Sequence, residues 1–388
     1  MAFEDDMLIM TGKGSGKTTI NKKFNVDKYK KDNKGKDLNR EWTYQEIWDE
    51  VLHSGNVLPK TLTSEHRVVF VDADTLCYRT ASGCETRWVE TVIDGVKVEF
   101  PTKTKLKEYC KKNLIDYDSL SFTDHYKTIA LRLCLSRLKE QIGILYKDLN
   151  AAHIVFFIGG SDNFRLDLPL PNQYKAKRKD TRRPDHLKAC REYLNKNYTT
   201  FIVADVEADD IVQGITGFCI NNTDAYCLAY NQDKDYHTSL VKNRYYHVVT
   251  KKIVELDGGL GHLYMKGKKV KGDGLHWLLC QTMLGDYDDD FSPKQLFKKP
   301  YLGNYGDTKY YEDFKSYDNE KDLLEAWVTK WKELLPEVIE FETWQGDWVK
   351  HNWLSLANLY FQCPFMLTSP TDNTTFKSLL DKYGVDYD

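Results

Sequence analysis

The chain of 388 residues lacks any Cys-x-x-Cys pair, lacks an apolar run of membrane-spanning length, and carries almost no net charge. Its nine cysteines are scattered and odd in number. That excludes the spacing of zinc ribbons and of disulfide-stapled small folds, and it points to free thiols in a reducing, cytoplasmic compartment. A span needs about 20 consecutive apolar residues, and a secretory leader needs an apolar stretch behind a basic start. Neither pattern is present, so no membrane role is expected. A formal charge of −3 excludes a globally basic surface, so any affinity for polyanions must come from local patches. What is there, 41% hydrophobic and 29% charged residues, is the composition of a globular protein with room for a large core.

Residues 1–60 read as a basic extension followed by a helix. The run Thr11-Gly12-Lys13-Gly14-Ser15-Gly16-Lys17-Thr18 approaches a phosphate-binding loop, but the first glycine that motif requires falls on Thr11. Nucleotide binding is therefore set aside in favour of a basic arm. Trp42, Ile47, Trp48 and Val51 then have helical spacing. Residues 61–250 alternate strands with helices, which implies a mostly parallel sheet flanked by helices. The strands are Arg67-Val68-Val69-Phe70-Val71-Asp72, 154–158, 201–204 and 225–230. The helices are 122–147, 184–197 and 209–219, and a hairpin over 88–100 turns at Asp94-Gly95. Residues 251–388 are mainly helical, with helices expected at 275–284, 319–335 and 349–362.

The strand ends carry acids: Asp72; Glu207, Asp209 and Asp210; Asp233 and Asp235; Asp286 and Asp289. Ligands bind beyond the carboxyl ends of strands in such sheets. Carboxylates without histidine or cysteine company suit Mg²⁺ or Mn²⁺ rather than zinc. Their number suits two ions about 4 Å apart, a geometry that serves attack on phosphodiesters. Tyr174-Lys175-Ala176-Lys177-Arg178-Lys179-Asp180-Thr181-Arg182-Arg183 follows with six cations and one acid. A solvated basic loop is the plain reading of that composition; its place beside the acids favours a phosphate-gripping one. Lys175 and Arg178 would share a face if this part is helical.

In order, Val71-Asp72-Ala73-Asp74, Asn163-Phe164-Arg165, Tyr174-Lys175-Ala176-Lys177-Arg178, Glu207-Ala208-Asp209-Asp210, Asp233-Lys234-Asp235 and Gly285-Asp286-x-x-Asp289 resemble the phage-type 5′→3′ exonuclease and flap endonuclease family, a branch of the PIN-like nucleases. The resemblance spans roughly residues 67–310. It implies a PIN-like α/β core with a basic arch segment, and a C-terminal helical part holding a helix–three-turn–helix that grips duplex backbone. It implies a first metal at Asp72, Glu207, Asp209 and Asp210, and a second at Asp233, Asp235, Asp286 and Asp289. Lys175 and Arg178 would act with Asp72 and Asp209 in catalysis. Arg165, Tyr174, Lys177, Arg182, Arg183, Gly303 and Gly306 would join them in holding substrate, with K⁺ at the glycine loop. The expected activity is hydrolysis of DNA at 5′ ends, nicks and flaps, by a monomer, in the host cytoplasm if the source is viral. RNA in RNA–DNA hybrids is a further expected partner. A catalytically weak DNA-binding or recombination factor and an RNase for structured RNA remain open alternatives.

The sequence departs from the family at three places. The strand before Asn163-Phe164-Arg165 ends in Gly159-Gly160 instead of an acid, Asp290 stands where an asparagine is expected, and residues 1–60 have no counterpart. Asp162 either supplies the absent carboxylate from a bendable loop or caps the turn before Asn163.

Overall fold

A computed structural model describes residues 26–31, 33–231, 234–297 and 301–387. The glycine-rich run at 11–18 and Asp233 lie outside the described residues.

The chain up to Leu256 builds a seven-stranded sheet. It contributes β1 (Glu41–Trp42), α1 (Tyr44–Leu52), β2 (Arg67–Asp72) and α2 (Ala73–Ser82). A small unit follows, of β3 (Glu85–Ile93), β4 (Val96–Phe100), α3 (Lys103–Asn113) and β5 (Phe122–Thr128). The core resumes with α4 (Leu131–Asp148), β6 (His153–Gly159), α5 (Leu187–Asn197), β7 (Thr200–Val203), α6 (Ala208–Asn222) and β8 (Tyr226–Asn231). β9 (Asn243–His247) and β10 (Lys252–Leu256) complete the sheet, whose order is β1-β7-β6-β2-β8-β9-β10. All its pairings are parallel except β9 with β10. β2 lies in the middle, with Phe70 opposite Val155 on one side and Ala229 on the other. Val68, Val69, Phe70 and Val71 are all buried, as a strand covered on both faces requires. Val69 and Val71 pack towards α2, α4 and α5; Val68 and Phe70 pack towards α1 and α6.

After the hairpin β11 (Leu263–Lys266) and β12 (Lys269–Gly272) come α7 (Gly274–Leu284), α8 (Asp307–Phe314) and α9 (Glu320–Glu333). The hairpin β13 (Ile339–Glu342) and β14 (Trp348–His351) then precedes α10 (Trp353–Phe361) and α11 (Phe376–Tyr383). These elements share a separate core around the buried and stacked pair Trp327 and Trp331.

Four expectations change. Residues 122–128 form a strand, not the start of a helix. They pair with β3 from Thr91 opposite Phe122 to Glu85 opposite Thr128, and their aromatic and β-branched residues suit that pleated surface. The helical stripe starts at Cys134 and runs through Leu138, Ile142 and Leu145, leaving Leu131 and Leu133 outward. The segment from 41 onward is no extension: β1 pairs with β7, and a Thr43–Glu46 capping box starts α1, whose Ile47, Trp48 and Val51 enter the core. The sheet also continues past 250, since β10 pairs with β9 through Leu256. Finally, residues 348–351 form a strand, and the helix expected at 349–362 begins at Trp353.

Candidate active site

Asp72 closes β2 and caps α2. One carboxylate oxygen accepts from the Asp74 amide at 2.9 Å and the Thr75 amide at 3.3 Å, and the other accepts from the Thr75 hydroxyl. Burial, with the charge of Asp74 added, pushes its carboxyl up to about 6. Asp74 itself accepts from the Gly159 amide at 2.8 Å and lies 3.0 Å from the Arg191 guanidinium. Burial raises its carboxyl despite the pull of Arg191.

β7 leads into α6, whose first turn bears Glu207, Asp209 and Asp210. Successive helical residues diverge by about 100°, so the two aspartates face different ways. Asp210 points inward and is fully buried. Its oxygens receive Arg165 Nη1 at 2.6 Å and Nη2 at 2.9 Å, the Leu367 amide at 3.0 Å and the Glu207 amide at 3.1 Å. Arg165 is equally buried and donates on to the carbonyls of Gln362, Cys363 and Phe365. The geometry therefore corrects two expectations. Arg165 cannot reach substrate, and Asp210 spends its oxygens on holding Arg165 and the 362–367 segment against α6. Asp209 is half-buried on the adjacent face.

Glu207 opens towards the basic segment. Lys175 Nζ hydrogen-bonds Oε1, the Tyr174 hydroxyl donates to Oε2 at 3.3 Å, and Arg165 stands 3.6 Å away. Burial alone would raise the Glu207 carboxyl, but Lys175 and Arg165 outweigh it and hold it at about 2. Burial likewise disfavours the Lys175 ammonium, yet Glu207 and Asp289 push its pKa up.

After α7 a one-bridge turn pairs Asp286 with Phe291 and presents the last acids. Asp286 accepts from the Asp288 amide at 2.9 Å. Asp289 receives Arg178 at 2.5 Å, and burial raises its carboxyl against Lys175 and Arg178. Asp290, in the left-handed region at φ 60°, accepts from the Lys177 amide at 2.8 Å and pairs with its ammonium at 2.7 Å. Asp235 accepts from Gln281 at 3.1 Å.

The basic segment thus folds as a short 3-10 turn, Ala176–Asp180, whose Lys177 and Arg178, like Lys175 just before it, are already paired with acids, while Lys179 donates to Gln173. Tyr174 is buried and stacks on Phe291. Arg182 leaves the site for Glu85, and Arg183 is exposed. Gly303 lies in the 3-10 turn Leu302–Asn304, and Gly306 caps α8. Asp162 is exposed and accepts from the adjacent Asn163 amide at 2.9 Å, while the following 3-10 turn is capped by Asn163, whose Oδ1 accepts from the Arg165 amide at 3.0 Å. A side chain at Gly160 would place Cβ 2.1 Å from the Val203 carbonyl, so no acid can stand there in this backbone.

Asp74 belongs to the motif Val71-Asp72-Ala73-Asp74 but has no role among the expected site residues. Its pairing with Arg191, far along the chain, left no local signal. Among the described residues no three histidine, cysteine or acidic side chains stand close enough to hold an ion together as placed. The donor chemistry still suits a hard cation: Glu207 and Asp289 are oxygen donors in a buried setting, each already satisfied by a positive group, an ammonium and a guanidinium.

Solved structures of bacteriophage T5 proteins are similar to this mixed α/β chain at low identity. They include a bacteriophage T5 protein co-crystallised with metal ions, at TM-score 0.41 and 15% identity, covering 82% of this chain and 97% of that one. A T5 flap endonuclease complex with DNA and metal ions aligns at TM-score 0.42 and 14% identity, over 82% and 98% of the two chains. A T5 5′-exonuclease with bound zinc aligns at 0.40 and 15%. No family model matches the sequence. No curated protein matches it either.

Proposed function

We propose that the protein is a divalent-metal-dependent nuclease that hydrolyses DNA phosphodiesters at 5′ ends, nicks and flaps. The observation that supports this most is the interlocked set Glu207–Lys175 and Asp289–Arg178 near the ends of parallel strands. An acidic site that holds its own cations in reserve suits a polyanionic substrate better than a neutral one.

Asp72, Glu207, Asp209, Asp235, Asp286 and Asp289 would hold Mg²⁺ or Mn²⁺, with Asp233 assigned by resemblance. When bound, such ions supply a water of lowered pKa and offset charge on the phosphate. The chain's own part is to exchange partners. Lys175 and Arg178 release Glu207 and Asp289 and turn to the scissile phosphate, where they offset developing charge. Asp210 and Arg165 keep the first turn of α6 fixed while this happens. Tyr174, anchored by its ring on Phe291, keeps a hydroxyl on Glu207 throughout. Lys177 and Arg183 are exposed and would track backbone phosphates, while Gly303 and Gly306 would offer amides to the duplex, with K⁺ as the ion there.

The test is cleavage of flap, nicked and blunt DNA labelled at either end, with Mg²⁺ and with EDTA, beside an RNA hairpin of equal length. Short 5′ products that require the metal are the expected result. Binding without cleavage would replace this reading with a DNA-binding factor, and cleavage confined to RNA would replace it with an RNase.

A further inference from the structure

The crossover from β2 to β6 is interrupted by residues 83–130, which fold as a three-stranded antiparallel sheet, β4-β3-β5, covered by α3. The unit has its own small core of Val89, Ile93, Phe100, Leu106 and Cys110. Residues 85–128 contain eight basic and eight acidic side chains, yet the charge is sorted. α3 carries Lys103, Lys105, Lys107, Lys111 and Lys112 against Glu108 alone, and all five lysines are exposed. Lys103, Lys107 and Lys111 follow one another at four-residue steps, so like charges face like along the helix. A helix selected only for stability in solvent would alternate sign at that spacing.

The unit is also fastened to the end of the basic segment that reaches into the site. The buried Glu85 receives Arg182 at 2.8 Å and the Asp185 amide at 2.8 Å. Arg182 lies 3.8 Å from the Tyr126 ring, and Thr128 donates to Asp185 at 2.5 Å. The same residues that follow Lys175 and Arg178 in the chain therefore fix where the lysine helix stands.

We infer that α3 is a second nucleic-acid surface, which grips the phosphate backbone of duplex DNA outside the site where cleavage is proposed. The choice of DNA rests on the nuclease reading; the choice of a duplex rests on the helix itself. Surfaces for single strands stack bases on exposed rings, whereas α3 offers one half-exposed ring, Tyr109 at 39%, beside five cations. Lys103 and Lys105 have acidic partners, Asp124 and Glu108. Lys107, Lys111 and Lys112 are therefore the residues to change.

The experiment compares the full chain with a Lys107→Ala, Lys111→Ala, Lys112→Ala variant, binding labelled duplex DNA in EDTA over a series of salt concentrations. Each lost phosphate contact removes about 0.9 from the slope of log affinity against log salt, so the slope should fall by about 2 to 3. Affinity should drop at low salt and converge with that of the parent at high salt, with melting temperature and saturating turnover unchanged. An unchanged slope on duplex overturns the proposal, as does a fall seen only with a single strand or only with an RNA hairpin. If the parent cleaves nothing yet the duplex slope falls, the nuclease reading fails and this surface stands. If cleavage is normal and the slope does not move, the reverse holds.

Discussion

Removing the buried guanidinium at position 165 tests whether that residue supports the site or touches substrate. Arg165→Met keeps much of the volume but leaves the Asp210 carboxylate buried with only two backbone amides, from Leu367 and Glu207. It also strips the carbonyls of Gln362, Cys363 and Phe365 of a common donor. Both side chains of the pair are wholly buried, so solvent cannot screen the loss. Breaking one partner of such a pair costs about 3–5 kcal/mol. Unfolding entropy near 2.1 cal/mol/K per residue gives roughly 0.8 kcal/mol/K for a chain of this length, so the melting temperature should fall by about 4–6 °C. Asp210→Asn should cost less, because the amide retains an acceptor for Arg165. The double variant Arg165→Met, Asp210→Leu should recover much of the loss, since it removes both charges at once. Calorimetric melting of the three variants, with duplex affinity measured in EDTA below their transitions, decides the matter. An Arg165→Met protein that melts within about 1 °C of the parent but loses DNA affinity would refute the supporting role.

Three other outcomes follow from the site. Asp72 has a carboxyl raised from 3.8 to about 6, so the folded state holds a proton that the unfolded state has released across that window, and stability falls as pH rises through it. Asp72→Asn, which can still cap α2, should therefore raise the melting temperature of metal-free protein at pH 7, by up to about 3 kcal/mol equivalent, and leave it unchanged at pH 4. Asp162→Asn should show the parent's Mg²⁺ titration of activity and a stability loss below about 1 kcal/mol; a shifted titration would put Asp162 in the metal shell. Lys175→Ala frees Glu207 from its ammonium, so calorimetry should find tighter Mn²⁺ binding while saturating turnover falls; weaker binding would contradict the partner exchange.

The strand before Asp72 is legible because Val68-Val69-Phe70-Val71 is an apolar run of the length and composition of a buried strand. The parallel sheet was legible for the same reason. What escaped depends on direction and distance. Adjacent letters Asp209 and Asp210 look alike in sequence, and only the turn of α6 sends one inward. The partners that bury Arg165 are remote in sequence: Asp210 lies 45 residues away and the carbonyls of Gln362, Cys363 and Phe365 lie 197 to 200 away. β5 has no regular alternation of buried and exposed residues, so its sequence carries no strand period to separate it from the helix that follows. β1 is two residues long, too short for any period to register.

The two ends of the 83–130 unit meet: the Ile129 amide donates to the Cys84 carbonyl at 3.0 Å, and Arg137 holds the Gly83 carbonyl at 2.7 Å. The two ends of that unit therefore close it as a loop, with Glu85 and Thr128 beside the closure tied to Arg182 and Asp185. Loop closure costs only about 0.6 kcal/mol for each doubling of length, so the body of the protein is little affected by how long that loop is. A crossover with this geometry is a socket. Because both ends leave the sheet side by side, a change of length within the unit would leave the register of β2 with β6 where it is.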